Sequence, residues 1–259
     1  MNIIVCLKQV PDTNEVRIDP KTGTLIREGV PSIINPDDKN ALEEALKLKD
    51  EYGAHVTVIS MGPPQAEKAL REALAMGADE AILVTDRAFG GADTLATSRV
   101  IAAAIAKLPY DIVFAGRQAI DGDTAQVGPE IAEHLNLPQV TYVEEVKFEG
   151  KELRIRKALE DGYEIVRVNT PVLLTAIKEL NQPRYMDVKN IFKAFDEEIK
   201  IWTANDIDLD KSLLGLAGSP TKVRKSATKE AKGKGEIVNL PAKEAAAYVV
   251  QKLKEKHYI

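Results

Sequence analysis

The chain has 259 residues with 35 basic and 40 acidic side chains, a net charge of -5 and a single cysteine. This length suits one large domain with an extension, and the negative balance provides no field that would attract nucleic acid or an anionic membrane. One cysteine excludes an intrachain disulfide and fits a reducing, cytoplasmic setting, and no apolar stretch approaches the roughly 20 residues of a membrane span.

Up to about residue 145, short apolar runs alternate with segments of helical period. This alternation predicts βαβ units and a doubly wound, mostly parallel sheet covered on both faces. The predicted strands are residues 3–7, 55–61, 81–85 and 111–115. The predicted helices are residues 40–52, 65–76, 94–108 and 124–135, the first two ending at Gly53 and Gly77. A hairpin is expected at residues 17–27, after the first strand.

From residue 140 the pattern changes to consecutive strands. They are predicted at residues 141–148, 152–157, 164–168 and 172–177, and an antiparallel addition is the simplest account of them. After Trp202 a polar stretch that includes residues 229–235 lacks apolar periodicity and predicts a linker or arm. It leads to a helix at residues 242–254, whose apolar face needs a partner. We therefore divide the chain into an α/β domain, residues 1–200, and a C-terminal arm with its helix, residues 201–259.

Side chains for conventional catalysis are sparse in this sequence. His55, His134 and His257 are predicted in a strand, a helix and the tail, and none stands beside a nucleophile. P-loop and zinc-helix signatures are absent as well, so we expect no catalytic side chain and no metal site. Cys6 ends the first strand, where it is either a small buried side chain or, with Lys8 close by, a reactive thiolate.

The loop at residues 116–124 is a better candidate for a site. It follows a strand and opens a helix, with Thr124 as the expected N-cap, so backbone N–H groups of the first turn are free to meet a phosphate. Arg117 would offset the repulsion that Asp121 and Asp123 exert on an anion. The alternatives are an ordinary capped connection, or an aspartate-driven phosphohydrolase that uses the same two carboxylates.

Three further loops share the predicted edge of the sheet. Residues 86–94 contain two glycines that permit close backbone approach, and either Asp93 or Thr94 would cap the next helix. Residues 61–64 end a strand, and residues 35–38 precede a helix. Each loop alone is also explained as a plain turn, but four loops on one edge predict a single extended ligand.

Five ordered motifs, spread over nearly the whole chain, resemble the β subunit of electron transfer flavoprotein. They are VCLKQVPD at residues 5–12, INP at 34–36, ALAMGAD at 73–79, GRQAID at 116–121, and NQPRY at 181–185, which NIFKA follows at 190–194. The resemblance implies an adenine-nucleotide α-hydrolase-like fold, a heterodimer with an α subunit, and electron transfer through flavin.

The resemblance leaves two cofactors to consider. In ordinary members of the family the nucleotide is a structural AMP. In the electron-bifurcating members it is a second FAD, which accepts a hydride from NADH and divides the electron pair between a low-potential carrier, ferredoxin or flavodoxin, and a high-potential acceptor. Residues 86–94 and 123–130 resemble the bifurcating group, so we favour FAD.

The expected cofactor-binding residues follow from these motifs. They are Cys6, Asn35, Pro36, Asp37, Asp38, Met61, Phe89, Gly90, Gly91, Ala92, Asp93, Thr94, Gly116, Arg117, Gln118, Ala119, Ile120, Asp121, Gly122, Asp123, Thr124, Ala125, Gln126 and Val127. Arg87 and Thr94 are expected near the charge of the reduced flavin, with a solvated Arg87 as the alternative.

Residues 184–193 resemble the recognition loop that docks on acyl-CoA dehydrogenases and other flavin dehydrogenases. The expected docking residues are Arg184, Tyr185 and Val188, with Val188 as an apolar anchor shorter than the leucine often found there. An amphipathic turn packed on its own domain is the alternative. The same resemblance implies that the helix at residues 242–254 reaches onto the α subunit. A non-redox module that binds an adenine nucleotide is the competing function.

Overall fold

Strands and helices alternate through most of the chain, for which the computed structural model describes residues 1–12, 31–150, 152–223 and 235–259. The strands are β1 (Asn2–Cys6), β2 (Gln9–Pro11), β3 (Ser32–Ile34), β4 (His55–Met61), β5 (Glu80–Val84), β6 (Ile112–Gly116), β7 (Gln139–Glu149), β8 (Glu152–Leu159), β9 (Gly162–Asn169), β10 (Val172–Ala176) and β11 (Lys200–Trp202). The helices are α1 (Pro36–Tyr52), α2 (Glu67–Met76), α3 (Thr94–Ile105), α4 (Val127–His134), α5 (Val188–Asp196) and α6 (Ala242–Glu255).

Nine of the described strands form one sheet in the order β11-β5-β4-β1-β6-β10-β7-β8-β9. Neighbouring strands from β11 to β7 all pair in parallel. From β1 the chain builds outwards through β4 and β5 on one side, and later through β6 on the other, so the strand order reverses between β1 and β6. The predicted doubly wound sheet is confirmed, and ligands bind such sheets outside the carboxyl ends of the strands at the reversal.

Side chains of the central strands alternate between two separate cores. In β1, Ile3 and Val5 belong to the core that α1 and α2 supply, whereas Ile4 and Cys6 belong to the core that α3 and α4 supply. Every residue of β6 and β10 is buried. Burial on both faces explains why these strands are continuous apolar runs in the sequence.

Local signals set most of the helix boundaries. α1 begins at Pro36 rather than at residue 40, because proline loses nothing in a first turn, where its N–H would be unpaired. It ends at Gly53 in the left-handed conformation, as predicted. α4 begins at Val127, so the prediction of Thr124 as its N-cap is wrong. The capping position is held by Gln126, whose side chain makes no capping hydrogen bond.

The predicted antiparallel addition is confirmed for β7, β8 and β9. It is wrong for β10, which lies between β6 and β7 and is parallel to both. A strand with all five residues buried suits the middle of a parallel sheet, which helices cover on both faces. β2 and β3 form a separate antiparallel pair, and the hairpin expected at residues 17–27 lies outside the described residues.

The C-terminal part of the chain begins on the sheet. β11 pairs with β5, and Ile207 and Leu214 beyond it are buried in the core of α3 and α4. The predicted boundary between the α/β domain and the C-terminal arm, at residue 200, coincides with the start of β11. The division into these two parts stays a prediction. Most of the polar stretch at residues 229–235 lies outside the described residues, and α6 forms where a helix is predicted. None of the described helices is long and apolar enough to cross a membrane.

Candidate functional site

A large cleft lies along the carboxyl ends of β1, β4, β5 and β6, where the strand order reverses. The part of the cleft that the described residues enclose has a volume of about 1500 Å³. Cys6, Met61, Thr85 and Gly116, at or next to the strand ends, line its floor. The cleft occupies the position at which open α/β sheets bind ligands.

Asp38, in the first turn of α1, joins three elements at this floor. Its carboxylate accepts hydrogen bonds from Lys8 N at 2.7 Å and from Gly116 N at 3.0 Å. A Cβ at position 116 would lie 2.2 Å from Asp38 Oδ1, so only glycine permits this approach of β6 to α1. Burial raises the pKa of Asp38 to about 7, although hydrogen bonds from Lys8, Asn35 and Gly116 act in the opposite direction.

Cys6 is a buried thiol rather than a reactive thiolate. Burial, with a smaller contribution from the Asp38 carboxylate, raises the pKa of Cys6 to about 12. Lys8 does not supply a positive charge to the thiol, because its ammonium group pairs with Asp121 Oδ1 at 2.6 Å. Of the two roles predicted for Cys6, the structure supports the small buried side chain.

Asn35 positions the loop after β6 without lining the cleft. Its fully buried side chain donates to Gln118 O at 2.8 Å and accepts from Ile120 N at 3.1 Å. The pair of Lys8 with Asp121, whose side chain is buried, holds the same loop. Contacts behind the cleft therefore determine the course of this loop.

The backbone from residue 117 to 126 follows a strained path beside the cleft. Asp123 and Ala125 both have a φ of 53°, a left-handed conformation that costs a non-glycine residue on the order of 1 kcal/mol and that concentrates at ligand sites. α4 then begins with a first turn whose N-cap residue, Gln126, makes no capping hydrogen bond through its side chain. An uncapped helix end of this kind presents N–H groups and a positive dipole to an anion.

Arg117 supplies positive charge at the same end of the cleft. Its Nε lies 3.4 Å from Asp37 Oδ2, and its guanidinium lies 5.9 Å from the ring centre of Tyr142. Within the described part of the chain, the buried Nε has no hydrogen-bond acceptor. Because a buried donor without a partner is costly, this guanidinium is suited to an anionic ligand group.

The loop at residues 86–94 forms the opposite wall. Phe89 anchors it in the core of α3 and α4, and Asp93, rather than Thr94, caps α3 by accepting from Ala96 N at 3.0 Å. Between these anchors, residues 90–92 present two glycines and an alanine to the cleft. Within this wall, residues 90–92 therefore offer a backbone surface without bulky side chains.

Thr94 and Glu130 connect the two walls. The Thr94 hydroxyl donates to Glu130 Oε1 at 3.1 Å and lies 3.4 Å from Gln126 Oε1. The other carboxylate oxygen, Glu130 Oε2, is buried and has no donor among the described residues. It is placed to accept a hydrogen bond from a ligand hydroxyl group.

Most of the expected cofactor residues meet in this cleft. Those that line it are Cys6, Asp38, Met61, residues 89–94, residues 116–119 and residues 122–127. The others, Asn35, Pro36, Asp37, Ile120 and Asp121, lie outside its lining.

The sequence reasoning also missed part of the lining. Residues 8–11 lie inside the motif at 5–12 and residues 62–64 inside the loop at 61–64, but only Cys6 and Met61 of these stretches were expected to bind the cofactor. Gln65 and Ala66 follow the second stretch directly. Pro220 and Thr221 come from a distant part of the chain, and no local signal marks them.

Comparison with known proteins identifies the family. A model of the electron transfer flavoprotein domain matches residues 22–207. The chain is 80% identical over 259 residues to the electron transfer flavoprotein subunit beta of Clostridium acetobutylicum, with 100% of both chains covered. The chain belongs to the electron transfer flavoprotein β subunit family.

Two further relatives of this electron transfer flavoprotein β subunit are named as parts of larger complexes. Subunit CarD of the caffeyl-CoA reductase-Etf complex of Acetobacterium woodii is 59% identical over 262 residues. The electron transfer subunit gamma of acryloyl-CoA reductase of Anaerotignum propionicum is 47% identical over 268 residues. Both alignments cover 100% of each chain, and they agree with a role in electron transport.

The geometry of Asp121 and Asp123 gives no support to the phosphohydrolase alternative. Asp121 is paired with Lys8, and Asp123 accepts a hydrogen bond from Gln118 at 2.7 Å. In the ranges that the structure describes, no group of three or more His, Cys, Asp or Glu side chains is arranged to hold a metal ion. Asp121 instead holds the loop to Lys8, and Asp123 binds Gln118 within the loop.

Arg184 of the expected recognition segment turns towards the body of the protein. Its guanidinium donates to Glu43 at 2.9 and 3.1 Å and pairs with Asp50 at 2.9 Å. Glu43 is buried on α1. Arg184 therefore fastens the segment to α1 and is only partly available to a partner.

An exposed apolar surface extends from this segment along α5. Val188, Phe192 and Phe195 are 69%, 72% and 80% exposed, and their spacing puts them on one face of the helix. Tyr185, which is 96% exposed, precedes them. On the other face Ala194 is buried, and we call the four exposed residues the recognition surface. Phe192 lies inside the segment at residues 184–193 but is not among the expected docking residues, and Phe195 lies just beyond that segment.

Proposed function

We propose that this chain is the β subunit of a heterodimeric electron transfer flavoprotein that binds FAD in the cleft and oxidises NADH. Electrons would pass by flavin-based bifurcation to ferredoxin or flavodoxin and, through the FAD of the α subunit, to a dehydrogenase. The observation that carries the proposal is the extent of the cleft, which reaches from the uncapped end of α4 to the glycines of residues 90–92. Ligand pockets are usually about 300–1,000 Å³, so a cleft of about 1500 Å³ has room for a dinucleotide.

The two walls of the cleft suit the ADP half and the flavin half of FAD. At one end, the first-turn N–H groups of α4 and the Arg117 guanidinium would hold the pyrophosphate. Between the ends, the unpaired oxygen of Glu130 would accept a hydrogen bond from a hydroxyl group of the ligand. At the other end, residues 90–92 leave a slot for a flat ring.

The chemistry of the site would come from the cofactor. When bound, FAD supplies hydride acceptance and one-electron transfer, whereas the chain binds it, orients it and shields it from water. Arg87 is exposed at the edge of the ring slot, where its charge would favour the anionic reduced form. The Thr94 hydroxyl, which already donates to Glu130, orients that carboxylate towards the cleft.

The names of two relatives support the choice of partner. They are subunits of caffeyl-CoA and acryloyl-CoA reductase complexes, so we propose that an acyl-CoA dehydrogenase or a related flavoenzyme docks on the recognition surface. Solvent-exposed aromatic side chains are typical anchors of protein–protein interfaces. Phe192 and Phe195 extend the surface beyond the short Val188.

The α subunit would cover the C-terminal helix. Val249, Val250 and Leu253 on α6 are 55%, 44% and 36% exposed, which makes an apolar face suited to a partner chain. The cytoplasmic location predicted from the single cysteine remains part of the proposal.

The decisive experiment counts nucleotides in the protein purified with its α subunit. After denaturation, two FAD molecules per heterodimer, together with bleaching of the flavin by NADH, are expected. One FAD and one AMP would instead indicate a non-bifurcating electron transfer flavoprotein, since AMP fills only the phosphate end of the cleft. AMP without any flavin would indicate a non-redox nucleotide-binding module.

A further inference from the structure

A short segment near the C-terminus, residues 215–221, completes the wall formed by residues 86–94. We call it the latch segment. Pro220 and Thr221 line the cleft, although they lie far from the other lining residues in sequence. The two stretches are joined by hydrogen bonds that span 126 and 128 positions of the chain. The wall of the proposed ring slot is therefore built from two distant pieces of the sequence.

Asp93 is the centre of this junction. Its Oδ2 accepts hydrogen bonds from Thr221 Oγ1 at 2.7 Å and from Thr221 N at 3.0 Å, while its Oδ1 caps α3. Its backbone N–H donates to Ser219 Oγ at 2.9 Å. Ser219 is buried, and its hydroxyl donates onward to Gly215 O at 2.8 Å. Both hydroxyl groups of the latch segment thus bind to the residue that ends the loop.

Close packing fixes the other end of the same junction. Leu216 N donates to Gly90 O at 3.1 Å, and a Cβ at Gly91 would lie 3.3 Å from Leu216 Cβ. Gly215 has a φ of 50°, and a Cβ there would lie 2.2 Å from Ala88 O. Since only glycine fits at that position, the latch segment lies directly on the backbone of the loop.

The charge of Asp93 strengthens the junction. Burial raises the pKa of Asp93, but the hydrogen bonds from Ala96 and Thr221 outweigh burial and hold it below the usual value. Asp93 is therefore a carboxylate at neutral pH, and the hydrogen bonds that it accepts are charge-assisted.

We infer that Ser219 and Thr221 are positioning residues that hold residues 88–93, through Asp93, in the conformation that receives the ring of the cofactor. This inference rests on the proposed function, which assigns the flavin ring to that loop. The contacts reach only the ring end of the cleft and do not touch residues 116–127. Loss of the hydrogen bonds made by the latch segment therefore weakens the binding of a ligand that carries the ring. It leaves unchanged the binding of a ligand that fills only the phosphate end.

The test compares two ligands on the full-length chain after its nucleotides have been removed. FAD and AMP are titrated separately by calorimetry into the wild type, Thr221→Val and Ser219→Ala. We expect each variant to raise the Kd for FAD at least about tenfold, which corresponds to about 1.4 kcal/mol, and to change the Kd for AMP by less than about twofold. Thr221→Ser, which keeps the hydroxyl group, restores the affinity for FAD.

Ser212→Ala is the matched control, because the Ser212 hydroxyl donates to Asp210 at 2.8 Å near the latch segment but outside the cleft. Wild-type affinity for FAD in Thr221→Val and Ser219→Ala overturns the inference, and so does an equal loss of affinity for both ligands, which indicates a general structural role.

Hydrogen exchange of the ligand-free chain is a second, independent measurement. Faster exchange of residues 88–93 in Thr221→Val is expected, and unchanged exchange refutes the latch. A wild type that binds FAD no better than AMP contradicts the proposed function instead.

Discussion

Replacement of Gly116 by alanine tests the contact that closes the floor of the cleft. The new Cβ would lie 2.2 Å from Asp38 Oδ1, 2.7 Å from Asp38 N and 2.8 Å from Asp37 C. Two of these three atoms belong to the backbone of the first turn of α1, so a side-chain rotation cannot relieve the clash. The start of α1 must move away from β6.

The cost of this movement follows from the contacts that it disturbs. Overpacking of a rigid site costs about 1–3 kcal/mol. The shift also weakens the hydrogen bonds that Asp38 accepts from Lys8 and Gly116, and a buried group that loses its hydrogen-bond partner costs about 1–3 kcal/mol. With one such bond lost, we expect Gly116→Ala to lower the free energy of unfolding by about 2–6 kcal/mol. The melting temperature would fall by at least about 4 °C.

Urea unfolding followed by circular dichroism measures this loss directly. Gly122→Ala is the matched control in the same loop, because nothing lies within 4 Å of its added Cβ and its φ is not positive. The control is expected to keep or slightly raise the stability of the wild type. If Gly116→Ala unfolds at the same urea concentration as Gly122→Ala, the close approach of β6 to α1 is refuted.

Three further predictions address the floor, the ring slot and the recognition surface. The pKa of Asp38 is raised from its ordinary 3.8 to about 7, so the folded chain keeps this proton to higher pH than the unfolded chain, and stability falls as the pH rises through that interval. Asp38→Asn removes this part of the pH dependence, and urea midpoints from about pH 5 to pH 8 check it; parallel curves for the two proteins would contradict it. Ala92→Leu fills the ring slot without the strain that the φ of 73° at Gly91 would add, so we expect FAD content to fall while the melting curve of the ligand-free protein stays unchanged. Phe192→Ala should weaken binding to the dehydrogenase at least about tenfold, as measured by surface plasmon resonance. Lys189→Ala on the same helix is the control, and equal affinities for the two variants would exclude the recognition surface as the docking site.

Much of the fold was predictable because its signals are local. The strand at residues 55–61 and the ends of the first two helices at Gly53 and Gly77 agree with the structure, since periodicity and left-handed caps depend on neighbouring residues. The prediction of Thr124 as an N-cap was wrong because of the local backbone conformation. A good capping residue lies in the loop, but strain at Asp123 and Ala125 carries the chain three positions further before α4 begins at Val127.

The sequence alone determined the alternation of strands and helices, and it placed the loops that line the cleft at the carboxyl ends of the strands, because each of these leaves a repeating or contiguous pattern. Tertiary structure alone decided that β10 lies between β6 and β7, that Arg184 binds Glu43, and that Thr221 binds Asp93 at the wall of the cleft. These contacts join residues between about 33 and 141 positions apart. Their partners are selected by the shape and hydrogen bonding of the assembled sheet, which leave no periodic trace in either stretch of sequence. The segment at residues 116–127 therefore marked one wall of the cleft in which we propose that a nucleotide binds, whereas only the folded chain shows which distant residues line the rest of that cleft.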